Sequence, residues 1–401
     1  MRSFPTAFMA SYGSGKPVIA VMGEFDALPG LSQTASPVRE IREGVNASHA
    51  CGHHLFGTAS MAAAIAIKDW LNSSGTQGTI RFYGTPAEEG GAGKVYMVRD
   101  GFFKDVDIAL HWHPGAENSA NTETSNANKS AKFRFYGVSS HAAGSPENGR
   151  SALDGVEAMN MMVNMMREHI SQESRIHYVI TSGGSAPNVV PDFAEVFYYV
   201  RHPKPDQALE MFERVVKAAE GAAIGTGTRM EYKIIHGALS LLPNRYLQKI
   251  MHDNLTAIGG FKYSVEEQVF AEKIYATLSK NNAQVGDQEN IQAMRDNHTY
   301  GSTDVGDVSW NVPTAGISTA TWVPGTSAHS WQAVAAGGMS IGHKGMQLAA
   351  KTLTLTAIDL YKNPEHIKKA KEEFKKRRSD FKYTPFIGNQ TPPLDYRENP
   401  K

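Results

Sequence analysis

Three β-branched or aromatic runs in this chain end, one after another, in residues able to hold a metal or move a proton. Thr79–Tyr83 runs into Pro86-Ala87-Glu88-Glu89-Gly90, Val106–Leu110 ends in His111-Trp112-His113-Pro114, and Thr314–Val323 leads to Ser327-Ala328-His329. Segments with helical spacing fall around them, at Gly57–Leu71, Lys94–Asp100 and Met339–Leu360. Strand alternating with helix predicts an α/β domain with a mostly parallel sheet. Ligands of such sheets gather beyond the carboxyl ends of the strands, which is where these acids and histidines lie.

A fourth segment strengthens the pattern. Thr6–Ser11 and the continuous apolar run Val18–Met22, joined through Tyr12-Gly13-Ser14-Gly15-Lys16, predict a hairpin. The Gly-Ser-Gly-Lys run lacks the spacing and the following Ser/Thr of a phosphate loop. Further on, in Ala50-Cys51-Gly52-His53-His54, the one cysteine of the chain lies two residues from a histidine. An extended segment aims both side chains to one side, which a helix does not, and thiolate beside imidazole suits zinc or another first-row divalent ion.

Each feature has a plainer explanation when taken singly. A lone cysteine is commonly a small buried apolar residue, and paired glutamates commonly open a solvated helix. Together they match what metal-assisted hydrolysis requires: several ligands, an open position and a base for water. Cys51, His53, Glu89, His113 and His329 can supply ligands, and Glu88 the base. His111 and His113 share a strand parity; His113 is preferred as lying further past the strand end, with His111 partly buried. His141, after the strand Phe133–Val138, is on its own a surface or capping residue.

Composition bounds the rest. A length of 401 residues favours two or more domains. Lys+Arg and Asp+Glu are both 40, which recommends neither nucleic acid nor an anionic membrane as partner. A single cysteine excludes an internal disulfide and fits a reducing compartment. With no signal-like segment and no apolar run of bilayer length, the expectation is a soluble, cytoplasmic protein. Ser119–Ser130 is polar and Asn-rich and reads as a linker. After it, Ala131–Val138, Gly149–Ile170, Ile176–Thr181, Glu195–Arg201, Asp206–Ile224 and Met230–Ile235 follow the order β-α-β-β-α-β of a small ferredoxin-like α+β unit. Its methionine-rich helix fits core or interface packing. A helix at Arg245–Ile258 returns to the first domain, a helix is plausible at Val265–Ser279, and the remainder of 260–300 reads as loop. The expected layout is residues 1–127 and 241–362 as the two parts of a metal-binding domain, 128–240 as an insert, and 363–401 as a charged, proline-rich tail that begins with a solvated helix over the basic stretch Lys368–Arg378.

His49-Ala50-Cys51-Gly52-His53, Pro86-Ala87-Glu88-Glu89-Gly90, Ser140-His141-Ala142 and Asn188-Val189-Val190-Pro191 resemble the aminoacylase/carboxypeptidase family of dinuclear metallo-amidohydrolases. The similarity runs from about residue 17 to residue 360. It implies two divalent ions, Zn or Mn, on Cys51, His53, Glu89, His113 and His329, with Glu88 as general base and later proton donor. It also implies that the insert dimerises, that His141 reaches the partner's site to stabilise an oxyanion, and that Asn188 and Arg201 contact substrate. The implied reaction is hydrolysis of the amide of an N-acyl amino acid, an aroyl-glutamate foremost, with other acyl amino acids or a dipeptide as alternatives. A homodimer is implied; the alternatives are a heteromer of homologous chains and a non-catalytic, metal-binding role beside an active partner. Two departures stand out: His54 replaces an Asp common in relatives, and the helical segment that usually precedes the first hairpin is missing, which suggests a short or incomplete chain.

Overall fold

The computed structural model describes residues 5–279, 282–395 and 397; the last residues of the expected tail lie outside these. In chain order, β1 (Phe8–Ser14) and β2 (Val18–Glu24) precede α1 (His53–Ser74), β3 (Gly78–Thr85), α2 (Gly93–Arg99) and β4 (Ile108–Gly115). Then come β5 (Ala127–Tyr136), α3 (Ala152–Met166), β6 (Arg175–Ser182), β7 (Phe193–His202), α4 (Pro205–Thr226) and β8 (Arg229–Ala238). The chain closes with α5 (Arg245–Ile258), β9 (Thr314–Ala320), α6 (Ser340–Lys362) and α7 (Pro364–Arg378).

Strands β1-β3-β2-β4-β9 form one mixed, mostly parallel sheet, in which only β1 runs antiparallel. All seven residues of β2 are buried, as expected of a strand covered on both faces. Its side chains alternate: Ile19 and Val21 join the core under α1, α5 and α6, while Ala20 and Met22 meet Tyr83, Met97 and Phe103 on the other face. The expected β1–β2 hairpin does not form, because β3 lies between the two strands. The link Gly15-Lys16-Pro17 can span about 13 Å, more than the ~10 Å across one intervening strand. Sequence proximity therefore did not force pairing, and β2, apolar on both faces, takes β3 and β4 as neighbours.

A second, antiparallel sheet has the order β8-β5-β7-β6. It packs against α3 and α4 around Phe133, Phe135, Val156, Val196 and Phe212, following the β-α-β-β-α-β order read from the sequence. Methionines of α3 divide between core (Met159, Met166) and surface (Met161, Met162, Met165).

Two polar stretches correct the sequence reading. The Asn-rich run is no linker: Asn118, Asn121, Asn126 and Asn128 are buried. Asn118 donates to Gln288 O (2.8 Å) and accepts from Ala320 N (2.8 Å), and Asn126 donates to Tyr300 O (3.0 Å). Thr122–Thr124 also pairs in parallel with Asp296–His298, so the amides satisfy backbone groups that would otherwise be buried unpaired. The basic stretch forms α7, largely exposed as expected, whereas the tail after it packs onto the protein, with Phe386 and Ile387 buried. None of the helices is long and apolar enough to cross a membrane among the described residues.

Within the core, Lys94 is fully buried and donates to Glu24 (2.6 Å) and Asp304 (2.7 Å), and its backbone N–H also binds Asp304 (2.8 Å). Nearby, Asp307 accepts from Leu239 N (2.8 Å) and Tyr383 Oη (2.7 Å). Burial pushes the Asp307 carboxyl up to about 7. A carboxyl raised above its unfolded value of about 3.9 holds its proton more tightly in the native state. Its stabilising contribution is therefore whole below about pH 4 and declines up to about pH 7, at roughly 1.4 kcal/mol per unit. The melting temperature of Asp307→Asn relative to wild type is expected to rise from pH 5 to pH 8, measured by thermal unfolding across that range.

Candidate metal centre

The site grows out of the carboxyl ends of β2, β3, β4 and β9. Gly52 turns the chain with φ +78°, and a Cβ there would lie 2.6 Å from Pro114 Cβ, so the position suits glycine alone. That turn makes His53 the first residue of α1. The pair Cys51 and His53 thus converges through a left-handed turn into a helix, not through the extended segment expected. The Cys51 Sγ lies 3.5 Å from His113 Nε2. His113 Nδ1 donates to Pro114 O at 2.7 Å; a carbonyl can only accept, so the lone pair on Nε2 faces the sulfur.

His113 sits within β4 and not beyond it. His111, two residues earlier on the same strand, packs over Gly316 and belongs to neither ligand group below; burial holds it down at about 4. Glu88 and Glu89 occupy a turn before α2 rather than its first helical turn. Ala87 and Ala92 in that turn both have φ +58°. His329, also left-handed at φ +59°, is anchored by its N–H to Ala50 O at 2.9 Å and places Nε2 3.2 Å from Glu89 Oε1.

The ligand atoms of Cys51, His53 and His113 all lie within 4.8 Å of one another, and so do those of Cys51, Glu89 and His329. Cys51 belongs to both trios. A third group, Glu24, His53 and Glu88, meets the same distance criterion. The sequence reading passed over Glu24 and Asp26, although both follow an apolar strand in Gly23-Glu24-Phe25-Asp26 just as Glu88 follows β3. Asp26 bridges the site: Oδ1 lies 3.1 Å from His53 Nδ1 and Oδ2 accepts from Glu89 N at 2.9 Å.

The electrostatics ask for a cation. Burial, together with the charges of Glu24 and Asp304, pushes Glu88 well above the usual carboxylate range. Burial and the facing carboxylates likewise push the Cys51 thiol up. Burial opposes ionisation of Asp26, but the His53 ring and the Glu89 N–H hold it down at about 2. His53 Nε2 and Glu24 Oε2 are buried 3.0 Å apart, yet neither makes a hydrogen bond. A divalent ion reverses these pressures, favouring thiolate, carboxylate and neutral imidazole, and the S/N/O donor set suits Zn²⁺ or another first-row divalent ion. The residues present therefore fit a metal.

Apart from Glu88, the three residues predicted outside the ligand set fare differently. Arg201 on β7 has its guanidinium 5.3 Å from the Tyr199 ring and a buried Nε without a hydrogen bond, and it lies close enough to feel the charge of Glu88. His141 and Asn188 sit side by side in the second unit, where Ala142 N donates to Asn188 O at 3.0 Å. His141 is exposed, and no hydrogen bond joins either residue to Cys51, His53 or His113.

Comparison with known proteins finds relatives over most of the chain. A family model described as Peptidase family M20/M25/M40 matches residues 20–353. The chain is 46% identical to the B subunit of p-aminobenzoyl-glutamate hydrolase of Escherichia coli (strain K12), over 85% of this chain and 77% of that protein. It is 28% identical to the companion A subunit of the same hydrolase from that organism, over 65% of this chain and 62% of that protein. A Bacillus subtilis crystal structure, described as a dinuclear metal-binding peptidase from the M20 family, superposes with a TM-score of 0.57 at 17% identity, covering 89% of this chain and 86% of that one.

Because Cys51 is common to both trios, Cys51→Ala is expected to weaken uptake of both of two divalent ions by metal-stripped protein. His113→Ala, which touches one trio, is expected to weaken only one. Equilibrium dialysis against Zn²⁺ or Mn²⁺ with metal analysis separates the two patterns.

Proposed function

We propose a reaction from the premise that this chain belongs to peptidase family M20/M25/M40: it hydrolyses the amide of an N-acyl amino acid, p-aminobenzoyl-glutamate foremost, releasing p-aminobenzoate and glutamate. The observation that carries the reading is one thiol shared by two ligand trios, with the carboxyl of Glu88 beside them. The name of the E. coli relative, 46% identical to this chain, supports the substrate.

In this reading Cys51, His53, Glu89, His113 and His329 hold two divalent ions, Zn or Mn, which supply Lewis acidity and lower the pKa of water. Glu88 takes the proton of the attacking water and later gives it to the departing α-amino nitrogen of glutamate, so one group serves as base and then acid. Asp26 keeps the His53 ring oriented, as a carboxylate behind a ligand histidine does. Arg201 binds a substrate carboxylate through its planar fork, and Asn188 contacts the substrate from the same unit.

His141 takes the role of oxyanion donor. Its Nδ1 accepts from Ala143 N (3.2 Å) and Gly144 N (3.0 Å), which leaves the ring proton on the exposed Nε2. A homodimer through the inserted unit (128–240) lets that donor serve the other protomer. Supporting this are the apolar side chains exposed on edge strand β6 (Tyr178, Val179, Ile180) and on α3 (Met161, Met165). The paired names of the two E. coli relatives favour a second arrangement, association with a homologous chain. A cytoplasmic location belongs to the same proposal, from the lone cysteine.

Replacing Glu88 with Gln is expected to lower p-aminobenzoate release by ~10²–10⁴-fold with two ions still bound; undiminished turnover would exclude the mechanism. Arg201→Ala is expected to raise KM for p-aminobenzoyl-glutamate by about 10–100-fold, the equivalent of one charge-assisted hydrogen bond of ~1.5–3 kcal/mol. Steady-state kinetics on this substrate beside acylated neutral amino acids test both the residue and the substrate. Activity that appears only on adding a homologous chain would establish the heteromer instead.

A further inference from the structure

The C-terminal segment after α7 has no periodicity and no role in the reaction above, yet it is built into the protein along its described length. Phe386 packs with Ala127 and Leu239, and Ile387 with Tyr96 and Ala238, so the segment touches the second sheet and helix α2 of the first unit. Arg99 donates to Gln390 O at 2.6 Å, Gln390 donates to Ile234 O at 3.0 Å, and Asp395 lies 3.5 Å from Lys233 Nζ. The strap then reaches the metal centre. Arg397 Nη2 donates to Glu89 O at 2.6 Å and Nη1 to Ala27 O at 3.4 Å.

These two bonds join the same two backbone segments that Asp26 joins from the other side, through its carboxylate and Glu89 N. The turn carrying Glu88 and Glu89 needs such restraint. Ala87 and Ala92 flank it in the left-handed region, a conformation that side-chain-bearing residues adopt only where their surroundings over-determine it. The Glu89 peptide is held at its N–H by Asp26 and at its C=O by Arg397. We propose that Arg397 is a positioning residue for the metal centre, the strap clamping the Glu88–Glu89 turn so that the Glu89 carboxylate stays in its trio with Cys51 and His329. This rests on the two-ion reading above and adds to it a residue far along the chain from every ligand.

The trios make the consequence selective. Glu89 belongs with Cys51 and His329, while the two Arg397 bonds above go to Glu89 and Ala27, neither of which is in the other trio, Cys51, His53 and His113. Loosening the turn therefore weakens one ion and spares the other.

The test is calorimetric titration of the metal-stripped full chain with Co²⁺, beside the melting temperature of the metal-free protein. Wild type takes up two equivalents. Arg397→Ala is expected to keep one at wild-type affinity and to bind the other at least tenfold more weakly, with the melting temperature unchanged. Arg397→Lys is expected to recover part of the loss, since an ammonium still donates to a carbonyl, and a chain ending at Pro393 to match Arg397→Ala. Two equivalents at wild-type affinity in Arg397→Ala overturn the proposal. So does equal weakening of both with a lowered melting temperature, which marks a general structural role. Fewer than two equivalents in wild type overturn the two-ion reading itself, and the clamp with it.

Discussion

Lys94 carries its ammonium into a fully buried position and there meets Glu24 and Asp304. A buried ion costs several kcal/mol in lost hydration unless partners replace the water. Burial opposes the charge of Lys94, yet the two carboxylates hold it protonated. Burial would also raise Glu24, but Lys94 and His53 keep it ionised. One ion cluster thus ties together the end of β2, the start of α2 and the loop before Val305, three segments that meet beneath the candidate metal centre. Apolar replacements of similar volume could fill that space. They would leave nothing to hold Glu24 as an anion against His53.

Charge imbalance then explains the site above it. Glu24, Asp26, Glu88 and Glu89 converge on a few ångströms around Cys51 and His53, and a single lysine below cannot neutralise them all. The protein accepts this arrangement as a cost of function. Burial and the neighbouring carboxylates press a proton onto Glu88, the thiol is held neutral, and two buried atoms, on Glu24 and His53, lack hydrogen bonds. Strained residues lie in the same place: Ala87, Ala92 and His329 are all left-handed. Local rules broken together at one spot are the physical mark of a site whose missing term is a ligand.

Around this centre the second unit contributes groups of two kinds. Arg201 has a buried Nε and feels the charge of Glu88, while His141 is exposed to solvent. One polypeptide therefore carries a half-buried guanidinium close enough to feel the charge of Glu88 and an exposed imidazole on its surface. The C-terminal strap links the two units by touching Ala127 and Leu239, Tyr96 and Ala238, and finally Glu89. Few of these contacts pair residues that are near in sequence, so their effect belongs to the assembled molecule.

The sequence by itself determined the alternation of strand and helix, the placing of ligand-type residues after strands and the βαββαβ order of the second unit. Each of these is a local pattern, set by side-chain period and by the residue types that metals require. For that reason Cys51, His53, Glu89, His113, His329 and Glu88 could be picked out as candidates, and the fold brings them together. Only the tertiary structure decided what depends on partners distant in sequence. It slid β3 between β1 and β2, because a short link can step over a strand. It turned the Asn-rich run inward, because its amides found backbone groups near 290–300 to satisfy. It revealed Glu24, Asp26 and Lys94 as members of one electrostatic cluster, and brought Arg397 to Glu89. No periodicity encodes such meetings, since a buried charge or a clamped turn takes its meaning from the groups that fold against it.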